Sequence, residues 1–290
     1  ESEKQHRLIA ENMNDLIAVF NLEGIITYAS PSYQPVLGVN PEEYVGQPAI
    51  FLIHEEDQPE ILSRFAKAVE HQGPYTVEFR KKGRLGEWLY FETVCMPIWN
   101  EQSLLEGFVG ISRNINERKY YEEKLEHMAF YDPLTDVPNR RLFEKLANQA
   151  IKEAAQSSQK ASVMYLDIDK FKSINDTLGH DVGDELLMQF TARLKGSLRK
   201  RDVLARMGGD EFTVLLPNTD RAAAEEVAGR LLQAIGQPYQ VKGHLLTTTS
   251  SIGIAFYPQH GQTVGELIKQ ADEAMYRAKQ GGRNGFILAD

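Results

Sequence analysis

Residues 206–212 read Arg-Met-Gly-Gly-Asp-Glu-Phe, and this stretch decides how the second half of the chain folds. Apolar runs at residues 203–205 and 212–216 lie on either side of the two glycines. Because glycine adopts the positive φ that a two-residue turn needs, the pattern predicts a β-hairpin. Asp210 and Glu211 are therefore expected at the tip of that hairpin.

A second acidic stretch, residues 165–169 with the sequence Tyr-Leu-Asp-Ile-Asp, is the expected partner of this tip. Residues 162–166 predict a buried strand, and Asp167 and Asp169 follow at its carboxyl end, where sheet proteins commonly build their sites. If the two strand ends meet, they gather carboxylate oxygens with no cysteine or histidine among them. Such donors suit Mg²⁺ or Mn²⁺ and do not suit zinc.

Helical and strand patterns alternate through the rest of this half. The helices are predicted at residues 140–156, 181–199, 222–235 and 264–279, and a further strand is predicted at residues 247–257. This alternation, with one hairpin, predicts an α/β sandwich in which helices cover a mixed sheet.

At these residues the chain resembles the GGDEF-domain diguanylate cyclases, a family that makes cyclic di-GMP from two GTP molecules. The motif that names the family stands unaltered at residues 208–212, and the resemblance covers residues 132–285. Several separate motifs fall at matching offsets, which makes the resemblance specific. It implies a fold similar to the palm of nucleotide cyclases and polymerases.

The matching family positions imply the metal and catalytic residues. Asp167, the backbone carbonyl of Ile168, and Asp210 are the implied ligands of a divalent cation, Mg²⁺ or Mn²⁺, which would bind the triphosphate. Glu211 either assists deprotonation of the attacking ribose 3′-hydroxyl or holds a second metal ion. Asp169 either supports the ligands without contacting the metal or caps a helix, and it is not counted among the implied metal and catalytic residues.

The resemblance also implies how GTP is bound. Guanine presents N1–H and N2–H₂ donors beside the O6 acceptor, and an amide together with a carboxylate satisfies them. Adenine lacks these donors, so such a pair favours GTP over ATP. The implied substrate residues are Asn175 and Asp184 for the guanine edge, Leu187 for the base, Phe171 and Lys172 in a loop after the acidic strand for the phosphates, and Lys279 and Arg283 for the triphosphate. Lys172 is also counted with Asp210 and Glu211 in the catalytic set.

Residues 199–202 read Arg-Lys-Arg-Asp and match the family's product-inhibition motif. Arginine can bind guanine or phosphate, and aspartate can accept hydrogen bonds from the guanine edge. Arg199 and Asp202 are thus the implied contacts for cyclic di-GMP, and Arg230 is the implied contact to product bound on a neighbouring subunit. Because one site holds one GTP while the product joins two, the reaction also implies a homodimer with facing sites.

The first half of the chain predicts an antiparallel sheet with helices on one side. Strands are expected at residues 16–20, 25–28, 75–81, 88–99 and 107–114, and helices at residues 34–37, 42–45 and 58–70, with a modest helical pattern at residues 1–14. This order, together with phrases such as His-Glu-Glu-Asp at residues 54–57, resembles a PAS domain. Domains of that family sense a ligand or dimerise and perform no chemistry.

The PAS resemblance leaves the sensed ligand unknown. Cys95 is expected to be a core thiol rather than a flavin-adduct cysteine. His71 is expected to be a surface histidine at a helix end rather than a haem ligand. Four aromatic residues fit either a pocket lining or plain core packing, namely Trp88, Tyr90, Phe91 and Trp99.

A linker is expected between the halves. Residues 113–131 contain no glycine or proline and predict a helix, which Pro133 helps to end. Tyr121, Leu125 and Met128 fit either the seam of a short coiled coil or a plain connecting helix. The predicted organisation is a PAS-like sensor at residues 1–114, a helical linker at residues 115–131 and a cyclase domain at residues 132–290.

Composition limits the partners and the compartment. The chain of 290 residues is long enough for two domains, and its net charge of −9 argues against a general nucleic-acid binder. The single cysteine excludes an internal disulfide and fits a cytoplasmic location. No stretch is apolar enough to span a membrane, so no membrane contact is expected within this chain. The chain begins at Glu1, which favours a fragment whose missing part held a membrane sensor.

Three other functions stay open at this point. A catalytically silent GGDEF module would bind GTP or cyclic di-GMP as a sensor. An adenylyl cyclase or a dinucleotide cyclase of mixed specificity would accept ATP. A natural chain that continues into a phosphodiesterase domain would leave this half partly regulatory.

Overall fold

The computed structural model describes residues 15–290, so the helical pattern predicted at residues 1–14 lies outside the described residues. The chain divides into two compact units, Glu1–Lys124 and Leu125–Asp290. Each unit has its own five-stranded sheet and its own buried core.

The first unit is organised around an antiparallel sheet. Its strands are β1 (Leu16–Asn21), β2 (Ile26–Ala29), β3 (Tyr75–Lys82), β4 (Trp88–Trp99) and β5 (Leu105–Asn114). They lie in the order β2-β1-β5-β4-β3, and every neighbouring pair is antiparallel. The predicted antiparallel sheet is confirmed.

Helices occupy the long connection from β2 to β3. They are α1 (Tyr33–Leu37), α2 (Gln58–His71) and two 3₁₀ turns, Pro41–Glu43 and Ala49–Leu52. The short helical stretch predicted at residues 42–45 is the 3₁₀ turn Pro41–Glu43. Pro41 pre-sets the first turn and the Asn40 side chain caps it, which stabilises a single tight turn rather than a longer helix.

A third helix, α3 (Asn116–Phe130), follows β5 where the linker was predicted. None of its residues is buried. Tyr121, Leu125 and Met128 are exposed, as expected of a seam that this chain alone does not cover. The coiled coil stays a prediction. Within residues 15–290, none of the helices combines the length and apolar character that crossing a lipid bilayer requires.

The second unit contains a mixed sheet. Its strands are β6 (Ala161–Ile168), β7 (Val203–Gly208), β8 (Glu211–Pro217), β11 (Ser250–Tyr257) and β12 (Gly285–Leu288), and β9 (Tyr239–Val241) and β10 (His244–Leu246) form a separate hairpin. The sheet order is β12-β11-β6-β8-β7, with only the β11–β12 pair parallel. The helices are α4 (Arg140–Ser157), α5 (Phe171–Leu178), α6 (His180–Ser197), α7 (Arg221–Ile235) and α8 (Val264–Gln280).

Strand β6 is buried along its whole length because helices cover both faces of the sheet. Leu166 and Ile168 belong to a core cluster shared with α6 and α7, whereas Val163 and Tyr165 belong to a second cluster shared with α4 and α8. This arrangement confirms the predicted sandwich. Because side chains alternate along a strand, Asp167 lies on the same face as Tyr165, towards α8.

Helix α8 can approach the sheet closely because β11 has a glycine at the crossing point. A Cβ atom at Gly253 would overlap the Ala271 carbonyl of α8. This close packing fixes the helix whose last turn carries Lys279.

Three elements differ from the sequence-based expectation. Residues 171–178 were predicted as a loop and form helix α5, while β12 and the β9–β10 hairpin were not predicted. Helix α5 has eight residues and the unpredicted strands have three or four, so none is long enough to display a reliable hydrophobic period.

Candidate active site

The hairpin tip and the end of β6 lie side by side, as predicted. Asp167 of β6 is paired across the sheet with Glu211 of β8. The Ile168 backbone N–H donates to the Asp210 carbonyl at 3.3 Å. Asp210 therefore lies in the hairpin turn, directly beside the carboxyl end of β6.

The turn itself depends on its glycines and on one arginine. Gly208 and Gly209 have φ values of 147° and 51°, which side chains disfavour. Arg206 donates from Nε and Nη2 to the Gly209 carbonyl at 2.9 and 2.7 Å, and from Nη1 to the Asp132 carboxylate at 2.9 and 3.1 Å. Arg206 thus fastens the turn to the segment that follows helix α3.

Asp167 is a buried carboxylate in a negatively charged neighbourhood. Burial raises its pKa, the ion pair with Lys279 opposes the rise, and Asp210 and Glu211 add to it, so that the pKa is about 6. Lys279 Nζ lies 2.6 Å from Asp167 Oδ2. A cation near this group would favour the ionised carboxylate.

Glu211 is oriented by a tyrosine from the neighbouring strand. Tyr165 Oη donates to Glu211 Oε2 at 3.1 Å. Burial first, and then the charge of Glu211, raises the pKa of Tyr165, so the phenol stays protonated and remains a donor. The Glu211 carboxylate is therefore held near the strand end with its second oxygen free of this contact.

The donor chemistry of the predicted ligands fits a hard divalent cation. Asp167, the Ile168 carbonyl and Asp210 offer only oxygen atoms, which Mg²⁺ and Mn²⁺ prefer. Within residues 15–290, no three or more histidine, cysteine, aspartate or glutamate side chains lie close enough together to hold a metal ion. A cation here would thus depend on the backbone carbonyl and on oxygens of the bound phosphates as well as on the two carboxylates.

Asp169 supports the site rather than capping a helix. It is buried and accepts from Thr249 Oγ1 at 2.6 Å, Ser251 Oγ at 2.8 Å and the Asn284 backbone N–H at 3.1 Å. The N-cap residue of α5 is Lys170, and no side chain caps that helix. Asp169 therefore ties β6 to β11 and to the loop after α8.

Helices α5 and α6 carry the predicted guanine readers. Asn175 on α5 packs directly against Gly183 on α6, where a Cβ atom would overlap the Asn175 Oδ1 atom. That buried oxygen has no hydrogen-bond partner within the described part of the chain. Asp184 is exposed on α6, and Leu187 is buried one turn later. The two helices thus carry one buried, unpaired amide oxygen and one accessible carboxylate.

The predicted phosphate-binding residues lie at the beginning of α5 and the end of α8. Phe171 is the first residue of α5, and its side chain is buried in the core, so only its backbone N–H can face a phosphate. Lys172 is exposed in the first turn of the helix. Arg283 lines a cleft of about 610 Å³ that also reaches Asp169 and Lys170, whereas Asp167 and Lys279 do not line it.

The predicted product-binding residues form a separate group. Asp202 Oδ2 accepts from the Arg199 backbone N–H at 2.8 Å, which closes the turn between α6 and β7. Arg230 donates from Nε to the carbonyl of Ser197 at 3.0 Å, so it lies beside this turn in the same chain. Strand β7, six residues long, separates the group from the glycine turn, which corresponds to about 20 Å.

Three supporting residues were missed from the sequence because they act through contacts with residues distant along the chain. They are Asp132, Tyr165 and Arg206. An aspartate or an arginine beside a motif carries no sequence pattern that names its partner. The position of Arg206 directly before the glycine turn was the one available signal.

Comparison with known proteins gives the same two regions. Residues 129–285 match the family "Diguanylate cyclase, GGDEF domain", and residues 4–115 match the family "PAS fold". The bifunctional diguanylate cyclase/cyclic di-GMP phosphodiesterase MucR of Pseudomonas aeruginosa is 43% identical over 165 residues, which is 57% of this chain and 24% of MucR.

Solved structures match the second unit. The GGDEF domain of TpbB from Pseudomonas aeruginosa has 40% identity and a TM-score of 0.54, covering 55% of this chain and 94% of that one. The coiled coil and GGDEF domain of DgcB from Caulobacter crescentus, in complex with c-di-GMP, has 25% identity and a TM-score of 0.55, covering 60% and 93%. The chain spans 24%, 35% and 39% of the lengths of three curated relatives that it matches.

Proposed function

Since the chain belongs to the GGDEF family of diguanylate cyclases, we propose that it condenses two GTP molecules into cyclic di-GMP and releases two pyrophosphates. The observation that carries the proposal is the paired position of Asp167 and Glu211, with Asp210 hydrogen-bonded beside them and Lys279 on Asp167. These groups concentrate negative charge and one ammonium at two adjacent strand ends.

Mg²⁺ or Mn²⁺ is the proposed cofactor, held by Asp167, the Ile168 carbonyl and Asp210. Bound there, the cation would neutralise charge that develops on the phosphate undergoing attack. Glu211 is then either a further ligand or the group that accepts the proton of the ribose 3′-hydroxyl. The hydrogen bond from Tyr165 fixes its orientation in both cases.

The triphosphate is proposed to bind between the start of α5 and the end of α8. The first N–H groups of a helix have no intrahelical partner, so those of Phe171 and Lys172 are available to phosphate oxygens. Lys279 and Arg283 supply positive charge from the other side. Lys279 also forms an ion pair with Asp167.

Guanine recognition is assigned to Asn175 and Asp184, with Leu187 beneath the base. The buried Asn175 oxygen lacks a partner in the described part of the chain, and it would accept from a guanine donor once the amide turns towards the base. Adenine offers no donor at the matching positions, which would leave this buried oxygen unpaired and favour GTP by about 1–3 kcal/mol.

A homodimer is required by the chemistry, because each chain offers one such site and the product contains two guanylates. Two-fold symmetry would let the 3′-hydroxyl of each GTP attack the α-phosphorus of the other. The PAS unit and α3 are proposed to set how often two sites face each other.

Product feedback is proposed at Arg199 and Asp202, with Arg230 beside them. The two arginines and the aspartate suit the phosphate and guanine groups of cyclic di-GMP. We expect Arg199→Ala to raise the cyclic di-GMP concentration for half-inhibition by about tenfold or more, since a charge-assisted pair is worth roughly 1.5–3 kcal/mol.

Incubation of the purified chain with GTP and Mg²⁺, followed by separation of the products, tests the proposal. We expect cyclic di-GMP and pyrophosphate in a ratio of about 1:2 from the balanced reaction, and poor competition by ATP. GTP binding without pyrophosphate release would instead favour the silent sensor, and equal use of ATP would favour a cyclase of mixed specificity.

A further inference from the structure

The first unit encloses a cavity of about 130 Å³ between its sheet and its helices. Most of the wall is apolar, with contributions from Phe20, Ile26, Phe65 and Val77. The four aromatic residues considered from the sequence, Trp88, Tyr90, Phe91 and Trp99, are not part of this wall. A cavity with such a lining is suited to an apolar body of modest size.

Two charged residues line this cavity, the exposed Glu23 and the buried Lys81. From Val77 onwards every second residue of β3 is buried, so Val77, Phe79 and Lys81 lie on the same, buried face of the strand. The relative exposure of Lys81 is 7%. Its ammonium lies 3.3 Å from Tyr33 Oη, and 5.1 and 5.6 Å from the ring centres of Tyr33 and Phe79. The lysine is therefore directed inward rather than towards solvent.

Lys81 has no carboxylate partner in the described part of the chain. None of the ion pairs of the first unit includes it, and its neighbour Arg80 takes up both Asp57 and Glu56. Tyr33 and the π faces of two rings solvate the ammonium only in part. A buried ammonium without a counter-charge is unfavourable, so an anion that bound beside it in the cavity would gain binding free energy from the ion pair.

The charge of Lys81 acts within the cavity and not only at its edge. Burial raises the pKa of the Cys95 thiol to about 11, while a hydrogen bond with Tyr75 and the positive charge of Lys81 oppose that rise. Cys95 lies on β4 and is paired with Tyr75 of β3, and Tyr75 precedes Lys81 by six residues on that strand. The positive charge of Lys81 therefore influences Cys95, another residue of the cavity wall.

We propose that the first unit binds a small organic monocarboxylate, with its carboxylate on Lys81 and Tyr33 and its apolar body against Phe65 and Val77. A single cation matches a single negative charge. A phosphate or a dicarboxylate would bring a second charge into walls that contain no further basic residue. The inference does not depend on the activity proposed for the second unit.

Tryptophan fluorescence gives a readout confined to this unit, because the chain has two tryptophans and both lie on β4. The probes are benzoate and hexanoate, each compared with its neutral amide, benzamide and hexanamide. We expect at least one carboxylate to raise the fluorescence-detected unfolding temperature of the full chain. Calorimetric titration should give the matching amide a Kd at least about tenfold weaker, the loss of one charge-assisted contact.

Lys81→Met and Lys82→Met form a matched pair, since Lys82 is the exposed neighbour on the same strand. Lys81→Met is expected to fold at least as stably as the parent chain and to bind carboxylate and amide equally weakly, whereas Lys82→Met keeps the preference. Three results would overturn the proposal: equal affinity for acid and amide in the parent chain, undiminished carboxylate affinity in Lys81→Met, or no binding of either carboxylate at about 10 mM.

Discussion

The two units contain sites of opposite charge. At the acidic edge, formed by the end of β6 and the beginning of β8, the buried Asp167 and the partly exposed Asp210 and Glu211 place three carboxylates side by side, and Lys279 balances only part of their charge. In the first unit, the single ammonium of Lys81 lies in an enclosed apolar cavity. In each case the charge that the protein leaves unbalanced indicates the class of ligand: a cation with its phosphates at the edge, and an organic anion in the cavity.

The two sites also differ in how they are held. The acidic edge depends on hydrogen bonds between distant segments, such as Arg206 to Gly209 and Ser251 to Asp169. The cavity is shaped by packed side chains of the sheet and α2. Substitutions at the edge should therefore alter chemistry through small displacements, and the tryptophans of the first unit should not report them.

The largest effect is expected from Asp167→Asn. Loss of this ligand removes charge stabilisation of several kcal/mol, so GTP turnover should fall by about 10³-fold or more. Asp176→Asn, an exposed change on the neighbouring helix α5, should keep turnover within about twofold. If Asp167→Asn turned over GTP at a rate close to that of Asp176→Asn, the acidic edge would not be the catalytic site.

Arg206→Gln should lower turnover by about 10²-fold, because the turn that carries Asp210 loses its anchor and small displacements are costly in catalysis. The Arg206 and Asp132 side chains are only 11% and 17% exposed. The loss should therefore also destabilise the second unit by about 2–3 kcal/mol, somewhat below a fully buried pair.

Arg221→Gln is the control for this prediction, since it breaks an ion pair with Glu225 in which the arginine is 72% exposed. Such a pair contributes about 0.5 kcal/mol or less. Denaturant unfolding followed by far-UV circular dichroism, beside tryptophan fluorescence, separates the second unit from the first. A shift of the fluorescence transition by Arg206→Gln would contradict the expectation that the tryptophans of the first unit do not report changes at the acidic edge.

Gly183→Ala should raise the KM for GTP by about tenfold, because the added methyl group displaces Asn175 from its position against α6. Gly196→Ala on the same helix meets no neighbouring atom within 4 Å. That control should leave KM unchanged and stabilise the unit by about 0.5–1 kcal/mol. If both variants have the parental KM, Asn175 does not contribute to guanine binding.

The smallest effect concerns Asp132 and pH. Burial raises the pKa of this carboxyl, but hydrogen bonds from Thr135 and Arg206 outweigh it and hold the pKa below 3.8. A pKa depressed by folding means that the ionised group stabilises the folded state above about pH 4, and that this contribution is lost as pH falls through the lower folded-state value.

Asp132→Asn should therefore cost on the order of 1 kcal/mol at pH 7, after solvent screening of a partly exposed pair, and progressively less below pH 4. Urea unfolding of both chains between about pH 3 and pH 7 measures the difference. A constant difference over this range would show that ionisation of Asp132 does not stabilise the fold.

The sequence predicted those elements of the fold that depend on local properties of the chain. The glycine pair predicts the hairpin, and the buried run before Asp167 predicts β6, because turn geometry and strand burial are local properties. The antiparallel first sheet and the long helices follow from periodicity in the same way.

The sequence was uninformative where contacts join distant residues or elements are short. Helix α5 was mistaken for a loop, and Asp169 acquires its role from hydroxyls 80 and 82 residues away. In the sequence, Lys81 is one of several charged residues at the end of a predicted strand. Only the burial pattern of β3 in the structure shows that Lys81 lies on the buried face. The ligand roles of the site residues stay predictions for the variants above.

Electron paramagnetic resonance of Mn²⁺ tests the acidic edge most directly, because it detects the cation rather than the fold. With a GTP analogue that cannot react, the parent chain and Asp176→Asn should bind Mn²⁺ tightly, and Asp167→Asn should bind it at least about tenfold more weakly, as expected for loss of a carboxylate ligand. Equal Mn²⁺ affinity in all three chains would contradict the assignment of the strand ends as the metal and nucleotide site.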